Sequence, residues 1–283
     1  MKDFEARYFP FKRFSLKHKR FYRFREWRWE ILSAKGELPV VKKLTLPPFH
    51  PENGGKILAF LSDWHWHASP SQQRLLSGLS AALGKIKPDI LLLGGDLCDD
   101  AEFLPQLPVL LTQLGTLAPA VFAVNGNWEA GKRWLPENYF HDLYAQHNIQ
   151  LLENQTVICG GFRITGLPDI SSINFRQLAA LSPLPDKTDL LITHNPDGVV
   201  AAGRTHFLRD FALAFCGHTH GGQIRMPLFG ALYCPSFYRC KFDRGIFGCR
   251  GINTRMIVSS GIGERNHSFR FNCPPEVLIV EFK

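Results

Sequence analysis

Five short apolar runs, at 56–61, 89–93, 120–124, 189–193 and 211–216, each stop at or within a few residues of an Asp, Asn or His. None alternates polar with apolar along its length, so each reads as a strand buried on both faces, as happens when helices cover a parallel sheet. Between the first two, Leu75, Leu76, Leu79, Leu83 and Ile86 recur at helical spacing over 72–86, with Ser69 or Ser71 placed to cap the N-terminus. Residues 103–116 read as a second helix whose start Pro105 and Pro108 blur. This strand–helix alternation restricts the chain to an α/β architecture with a substantially parallel sheet. In such sheets, binding sites form beyond the carboxyl ends of the strands.

The second half is richer in strands. Segments 150–152, 157–159 and 162–165 read as short pairing strands, with Gly160-Gly161 as a tight hairpin turn. Residues 175–181 read as a helix, and 224–226, 255–259 and 276–282 as further strands. Residues 36–55, with Pro39, Pro47, Pro48, Pro51 and Gly54-Gly55, look like a lead-in that turns before the first core strand. No long polar linker interrupts the remainder. The division expected is a segment 1–50 and one two-sheet body over 51–283. With 45% hydrophobic and 20% charged residues, the chain suits a globular protein with a sizeable core.

The formal net charge of +8 is concentrated at the start. Residues 1–30 hold ten Lys/Arg and four Asp/Glu, out of 33 and 25 in the whole chain, interleaved with aromatics such as Phe9, Phe21, Tyr22, Trp27 and Trp29. Such a segment suits an anionic membrane surface. The alternative is an arm that packs on the body with its charges solvated. A single-stranded nucleic acid is the least favoured partner, because the basic bias does not extend into the body. Seven scattered cysteines suit a reducing compartment. Cys234, Cys240, Cys249 and Cys273 could offer thiolates, but their spacing lacks the C-x2-C knuckle of a zinc site. No signal peptide and no apolar run of about 18 residues is evident. The expected location is cytoplasmic, peripheral to the inner face of a membrane.

Collected, the strand ends present Asp63, His65, Asp96, Asn127, His194, His218 and His220. If strand geometry continues past Cys216, His218 and His220 point the same way, and Gly217, Gly221 and Gly222 leave room for close approach. Mixed imidazole, amide and carboxylate donors suit Mn, Fe, Zn or Co and do not suit Ca. Seven donors are too many for one metal with an open position. They suit two metals sharing a carboxylate, a pair that can grip a phosphoryl group and acidify water.

The ordered blocks Asp63-Trp64-His65, Gly95-Asp96, Gly126-Asn127-Trp128-Glu129, His194 and Gly217-His218-Thr219-His220 resemble those of the calcineurin-like metallophosphoesterases. The extended Gly217–Gln223 motif and Ser260-Gly261-Ile262-Gly263 followed by Pro275-Glu276 resemble the bacterial membrane-associated branch. The resemblance covers about residues 56–282. It implies two mixed β-sheets flanked by helices and a dimetal phosphohydrolase. It further implies that Asp63, His65 and His220 hold one metal, Asn127, His194 and His218 the other, and that Asp96 bridges them. Asp63, Asp96, Asn127 and His194 would carry the chemistry. His67, Trp128 and Glu129 would face the substrate or stand behind the ligands.

Many relatives carry histidine at the position of Trp128, where it assists the leaving group. An indole donates one hydrogen bond but transfers no proton near neutral pH. The resemblance thus points to leaving groups that depart unprotonated, as a nucleoside monophosphate does from a pyrophosphate. The diacylglucosamine-nucleotide hydrolases of lipid A synthesis cleave such a bond at a membrane surface, so UDP-2,3-diacylglucosamine is the specific substrate expected. The alternatives are a phosphodiesterase on nucleotides or other diesters, and a metal-binding protein with weak catalysis.

Overall fold

The structure is a computed structural model that describes residues 21–24, 28–33, 38–132, 134–170, 188–202, 211–249, 252–265 and 269–283. Its first half runs β1 (Phe21–Arg23), β2 (Glu30–Ile31), β3 (Val40–Leu46), β4 (Ile57–Leu61), α1 (Pro70–Ile86), β5 (Ile90–Leu93), α2 (Leu107–Leu114), β6 (Ala120–Ala123), α3 (Asn127–Ala130), α4 (Tyr139–Ala145) and β7 (Gln150–Leu151). Then follow β8 (Gln155–Cys159), β9 (Phe162–Gly166), β10 (Thr188–Ile192), α5 (Pro196–Ala202) and β11 (Phe211–Cys216). The last part holds β12 (Arg225–Met226), β13 (Gly230–Ala231), β14 (Gly245–Cys249), β15 (Ile252–Val258) and β16 (Glu276–Phe282).

Two seven-stranded mixed sheets result, in the orders β2-β3-β16-β4-β5-β6-β7 and β1-β14-β15-β11-β10-β9-β8. The first is parallel from β4 through β7, and the second from β9 through β15. Because side chains alternate along a strand, a doubly apolar run feeds two different cores. Leu58, Phe60, Ile90 and Leu92 of the first sheet meet Leu190, Ile192, Leu213 and Phe215 of the second in a core between the sheets. Their neighbours Ala59, Leu61, Leu91 and Leu93 face the opposite way, onto Leu76, Leu79 and Leu83 of α1 and Leu107, Leu110, Leu111 and Leu114 of α2. On the far side of the second sheet, Leu191 and Ala214 pack with Val199 and Val200 of α5. The pair of mixed sheets flanked by helices that the resemblance implied is the architecture formed.

Local signals set the element ends. Ser69 caps α1, its hydroxyl accepting from Gln72 N at 3.3 Å, and Pro70 fits the first turn where no N–H is needed. The tract 103–116 divides into a 3-10 turn through Gln106 and then α2, since Pro105 and Pro108 remove donors where one continuous helix would need them. Gly160 and Gly161, at φ +56° and +78°, make the two-residue turn that joins β8 to β9. The helix expected at 175–181 lies outside the described residues.

The lead-in does more than turn. Val40–Leu46 forms β3 and runs parallel to β16 over all seven residues. Part of the basic N-terminal segment also packs on the body. Strand β1 pairs with β14, Arg23 reaches Asp243 at 2.5 Å, and Phe24 is buried. Residues 1–20 and 25–27 lie outside the described residues. No helix among the described residues is long and apolar enough to cross a membrane.

Candidate metal centre

The carboxyl ends of β4, β5 and β6 in one sheet meet those of β10 and β11 in the other, and each delivers one or two of the candidate side chains. Asp63 and His65 follow β4, Asp96 follows β5, Asn127 opens α3 after β6, His194 follows β10, and His218 and His220 follow β11. Five of these residues, Asp63, His65, Asp96, His218 and His220, hold φ between +49° and +68°. Left-handed backbone at non-glycine residues is costly, and its concentration here marks loops held in place by their surroundings.

Glycines make the crowding possible. A Cβ on Gly217 would fall on Asp63 Oδ2, and one on Gly126 on Asp96 Oδ1. The sheets are tied at this point: His218 N donates to both Asp63 oxygens, at 2.8 and 3.0 Å, and Ser62 Oγ donates to Asp63 Oδ2 at 2.5 Å.

Two donor groups form. Asp63, His65 and His220 make one, and Asp96, His194 and His218 the other; all six are buried. In the first, His65 Nε2 lies 3.0 Å from His220 Nε2, which lies 3.7 Å from Asp63 Oδ1. In the second, His194 Nε2 lies 3.1 Å from Asp96 Oδ2, from Asn127 Oδ1 and from His218 Nδ1, and His218 Nδ1 lies 2.8 Å from Asn127 Oδ1. Asp96 Oδ2 also lies 3.9 Å from His65 Nε2, so this carboxylate stands between the groups. The expectation that His218 and His220 point the same way is not met. The strand ends at Cys216, alternation ends with it, and the two rings go to different groups.

A proton count tests whether these residues suit a cation. His194 Nδ1 faces the Gly94 carbonyl at 2.7 Å and His218 Nε2 faces the Pro235 carbonyl at 2.5 Å. A carbonyl only accepts, so those two nitrogens carry the hydrogens of the neutral rings. Lone pairs remain on His194 Nε2 and His218 Nδ1, aimed at Asn127 Oδ1 and Asp96 Oδ2, which are acceptors too. Buried acceptors at hydrogen-bond distance with no proton between them call for a positive charge. The titration directions show the same pull toward positive charge, met on His194 by a proton where no cation is bound. Burial works against charge on His194, yet the charge and hydrogen bond of Asp96 outweigh it and raise the imidazole well above its ordinary value. Burial likewise pushes Asp96 up, but His194 more than offsets it and holds the carboxyl low. His220 goes the other way. Burial first, then the His65 and Arg270 charges, keep it well below the usual imidazole value, so it stays neutral. Neutral imidazoles with carboxylate and amide oxygens form a donor set that suits divalent transition metals.

Several supports were not visible in the motifs. His65 Nδ1 sits 3.4 Å from Asp99 Oδ2, whose carboxylate pairs with Arg265 at 3.0 Å. Arg270 Nη2 lies 3.4 Å from His220 Nδ1. Gln72 Nε2 donates to the carbonyl of His65 at 2.9 Å. Asp99 lies three residues after Asp96, a closeness that could have flagged it; Arg265 and Arg270 carried no such signal. The Ser260–Gly263 stretch braces the loop after β4, with Ile262 N and Gly263 N donating to the carbonyls of Ser62 and Asp63.

Glu129 is buried, and its carboxylate accepts from Asp96 N at 2.9 Å, Leu97 N at 2.7 Å, Cys98 N at 3.3 Å and Gly126 N at 2.9 Å. It binds the loop after β5 to the loop after β6. Burial, then the Asp96 charge, push its carboxyl up from the ordinary value. Trp128 is half-buried. Its backbone N–H donates to Asp96 Oδ1 at 2.9 Å, and its ring lies 3.8 Å from the Arg265 guanidinium and 5.6 Å from Lys132 Nζ. His67 is exposed, with its ring 5.8 Å from that of Phe103 and its backbone N–H donating to Gln72 Oε1.

Comparison with known proteins places this geometry. A family model described as calcineurin-like phosphoesterase matches residues 57–222. The chain is 29% identical over 236 residues to "Phosphodiesterase YaeI" of Escherichia coli (strain K12), an alignment covering 80% of this chain and 81% of that one. It is 29% identical over 273 residues to "Uncharacterized metallophosphoesterase Cj0846" of Campylobacter jejuni, covering 90% of this chain but 63% of that longer relative. It is 25% identical over 258 residues to "Uncharacterized metallophosphoesterase YkuE" of Bacillus subtilis (strain 168), covering 86% and 83%.

Proposed function

We propose that this chain, which belongs to the calcineurin-like phosphoesterase family and is a metal-dependent phosphoester hydrolase, cleaves a pyrophosphate or phosphodiester bond in a lipid-linked substrate such as UDP-2,3-diacylglucosamine. The observation that carries the reading is the pair of buried donor groups with Asp96 between them. Asp63, His65 and His220 would hold one divalent transition metal, and Asn127, His194 and His218 the other, as Mn, Fe or Zn. When bound, such a pair lowers the pKa of a bound water and grips phosphoryl oxygens.

The chain's own residues arrange that chemistry. The Asp96 carboxylate, standing between the two donor groups, would reduce repulsion between cations held there. The carbonyls of Gly94 and Pro235 fix which nitrogens of His194 and His218 point inward. Glu129 holds the loops that carry Asp96 and Asn127. Trp128 cannot hand a proton to a leaving group, but its ring lies 3.8 Å from the Arg265 guanidinium and 5.6 Å from Lys132 Nζ, whose charges favour an anionic one. This supports a phosphate leaving group over an alkoxide. His67 stands at the rim beside Phe103. Within the basic aromatic residues 1–30, those outside the β1 pairing would meet the anionic inner surface of a membrane.

Asp96→Ala, assayed on an aryl phosphodiester with Mn, Zn and Fe compared, is expected to abolish turnover. Retention of more than about 5% of the rate defeats the dimetal mechanism, since loss of a group acting as a unit removes most of the acceleration. A panel of pyrophosphate, diester and monoester substrates, with and without detergent-solubilised lipid, tests the substrate class.

A further inference from the structure

The sharpest surface anomaly is the β12–β13 hairpin. Leu228 is fully exposed and Phe229 85% exposed at its tip, with Met226, Leu232, Tyr233 and Phe271 exposed around it. An apolar cluster of this kind on a surface marks an interaction site. The turn itself is unusual. Phe229 N donates to the Pro227 carbonyl at 2.9 Å, and Leu228 between them holds φ +68°. This is a γ-turn of the rare, strained hand, with a bulky side chain where glycine would cost nothing. The strain presents a leucine outward and gains it no burial, so stability does not explain it.

The hairpin stands on the metal centre at both feet. Its first strand begins five residues after His220, and Gln223 on the way accepts from Arg265 N at 2.8 Å and donates to the Phe269 carbonyl at 3.1 Å. On the return, the Pro235 carbonyl meets His218 Nε2. Charge selects the partner. From Gln223 to Phe242 the chain holds Arg225, Arg239 and Lys241 and no carboxylate. The next residue, Asp243, is buried and already engaged by Arg23 and Arg225. Because Arg225 pairs with Asp243, the basic character of the segment rests on Arg239 and Lys241. Apolar side chains at a protruding tip, an aromatic at its base and basic residues with no further carboxylate between Gln223 and Phe242 describe an element suited to an anionic lipid surface.

We propose that the Met226–Tyr233 hairpin inserts Leu228 and Phe229 into the interfacial layer of an anionic membrane, and so sets the mouth of the metal centre against a lipid-linked phosphate. The proposal rests on the reading above for what the docked protein hydrolyses. It differs from that reading in placing the lipid contact on the catalytic body and not only on residues 1–30.

The test is flotation of the full chain with phosphatidylglycerol/phosphatidylethanolamine vesicles and with neutral phosphatidylcholine vesicles. Wild type should float with the anionic set. Leu228→Glu/Phe229→Glu should bind at least about tenfold more weakly, from the loss of two large apolar insertions. Leu228→Ser/Phe229→Ser should shift in the same direction, guarding against a folding defect, while Ile158→Glu on exposed strand β8 should bind as wild type does. Equal binding of wild type and both double variants overturns the proposal, as does preference for neutral vesicles or no binding at all. A dimer in sedimentation equilibrium that the double variants dissolve would assign the hairpin to a second copy and also overturn it. Turnover of a soluble aryl phosphodiester is measured alongside. Its absence in wild type would end the hydrolase reading and leave flotation to decide the docking surface.

Discussion

Replacing Glu129 with Gln removes one charge and one acceptor and changes almost no volume. The two carboxylate oxygens accept four backbone N–H bonds, two on each oxygen: Asp96 N and Gly126 N on Oε2, Leu97 N and Cys98 N on Oε1. A glutamine must turn an NH2 group toward one of those pairs, so two charge-assisted bonds are lost. At about 1.5–3 kcal/mol each, the expected cost is about 3–6 kcal/mol. At about 2–4 °C per kcal/mol for a chain of this size class, Tm should fall by roughly 10–20 °C. The Asp96 and Asn127 loops lose their tie, and metal affinity should weaken by about 10–100-fold. Differential scanning calorimetry reads the first effect, and titration with Mn followed by elemental analysis the second. A Glu129→Gln protein with wild-type Tm but raised KM would refute this reasoning and make Glu129 a substrate contact.

Gly217→Ala should cost about 100-fold in kcat/KM, because its Cβ drives the Asp63 carboxylate aside by roughly 1 Å; Gly84→Ala, in helix α1 with nothing near its Cβ, should leave the rate alone and raise stability by about 0.5–1 kcal/mol. Wild-type kinetics for Gly217→Ala would show that the carboxylate is not held where the rate needs it. Trp128→His should improve cleavage of poor leaving groups relative to good ones, read as a shallower dependence on leaving-group pKa across aryl phosphodiesters; an unchanged slope rules the leaving-group argument out. The Glu276 carboxyl is buried, which alone would raise it, but the Lys42 charge and the Ser260 N–H hold it below its ordinary 4.5. Its contribution is therefore complete above about 4.5 and lost as pH falls through the depressed value. Glu276→Gln should cost about 2 kcal/mol at pH 7, with the difference closing in acid, by urea unfolding at several pH values; a deficit that persists unchanged at pH 3 contradicts the assignment.

Much of the architecture was legible because its physics is local. Runs such as Ile90–Leu93 must be buried on both faces, Ser69 and Pro70 can only start a helix well, and Gly160-Gly161 suits one kind of turn. Strand β3 was not legible. Its polar residues Lys42, Lys43 and Thr45 and its surrounding prolines mask a strand that forms because β16 offers seven residues to pair with. The same holds for β1, whose pairing with β14 joins residues more than two hundred apart in sequence. No window of sequence contains such a partner.

The seven candidate donors were likewise readable one by one, since each terminates or closely follows an apolar run. Their division into two groups depended on backbone that sequence periodicity does not describe. His218 and His220 part because the strand stops before them and both adopt left-handed conformations. Asp99, Arg265 and Arg270 reach the site only through tertiary contacts, and the role of Glu129 as a tie between loops rests on amides from distant segments.

Periodicity and residue chemistry alone determined that this chain builds a helix-covered, two-sheet body with candidate metal donors at its strand ends, because hydrophobic burial and ligand type are properties of short stretches. Which candidate donors group together, which carbonyls face their rings, and that an apolar hairpin projects from the same loop were decided only when the two sheets met. Those facts belong to distances between residues that the chain does not place side by side.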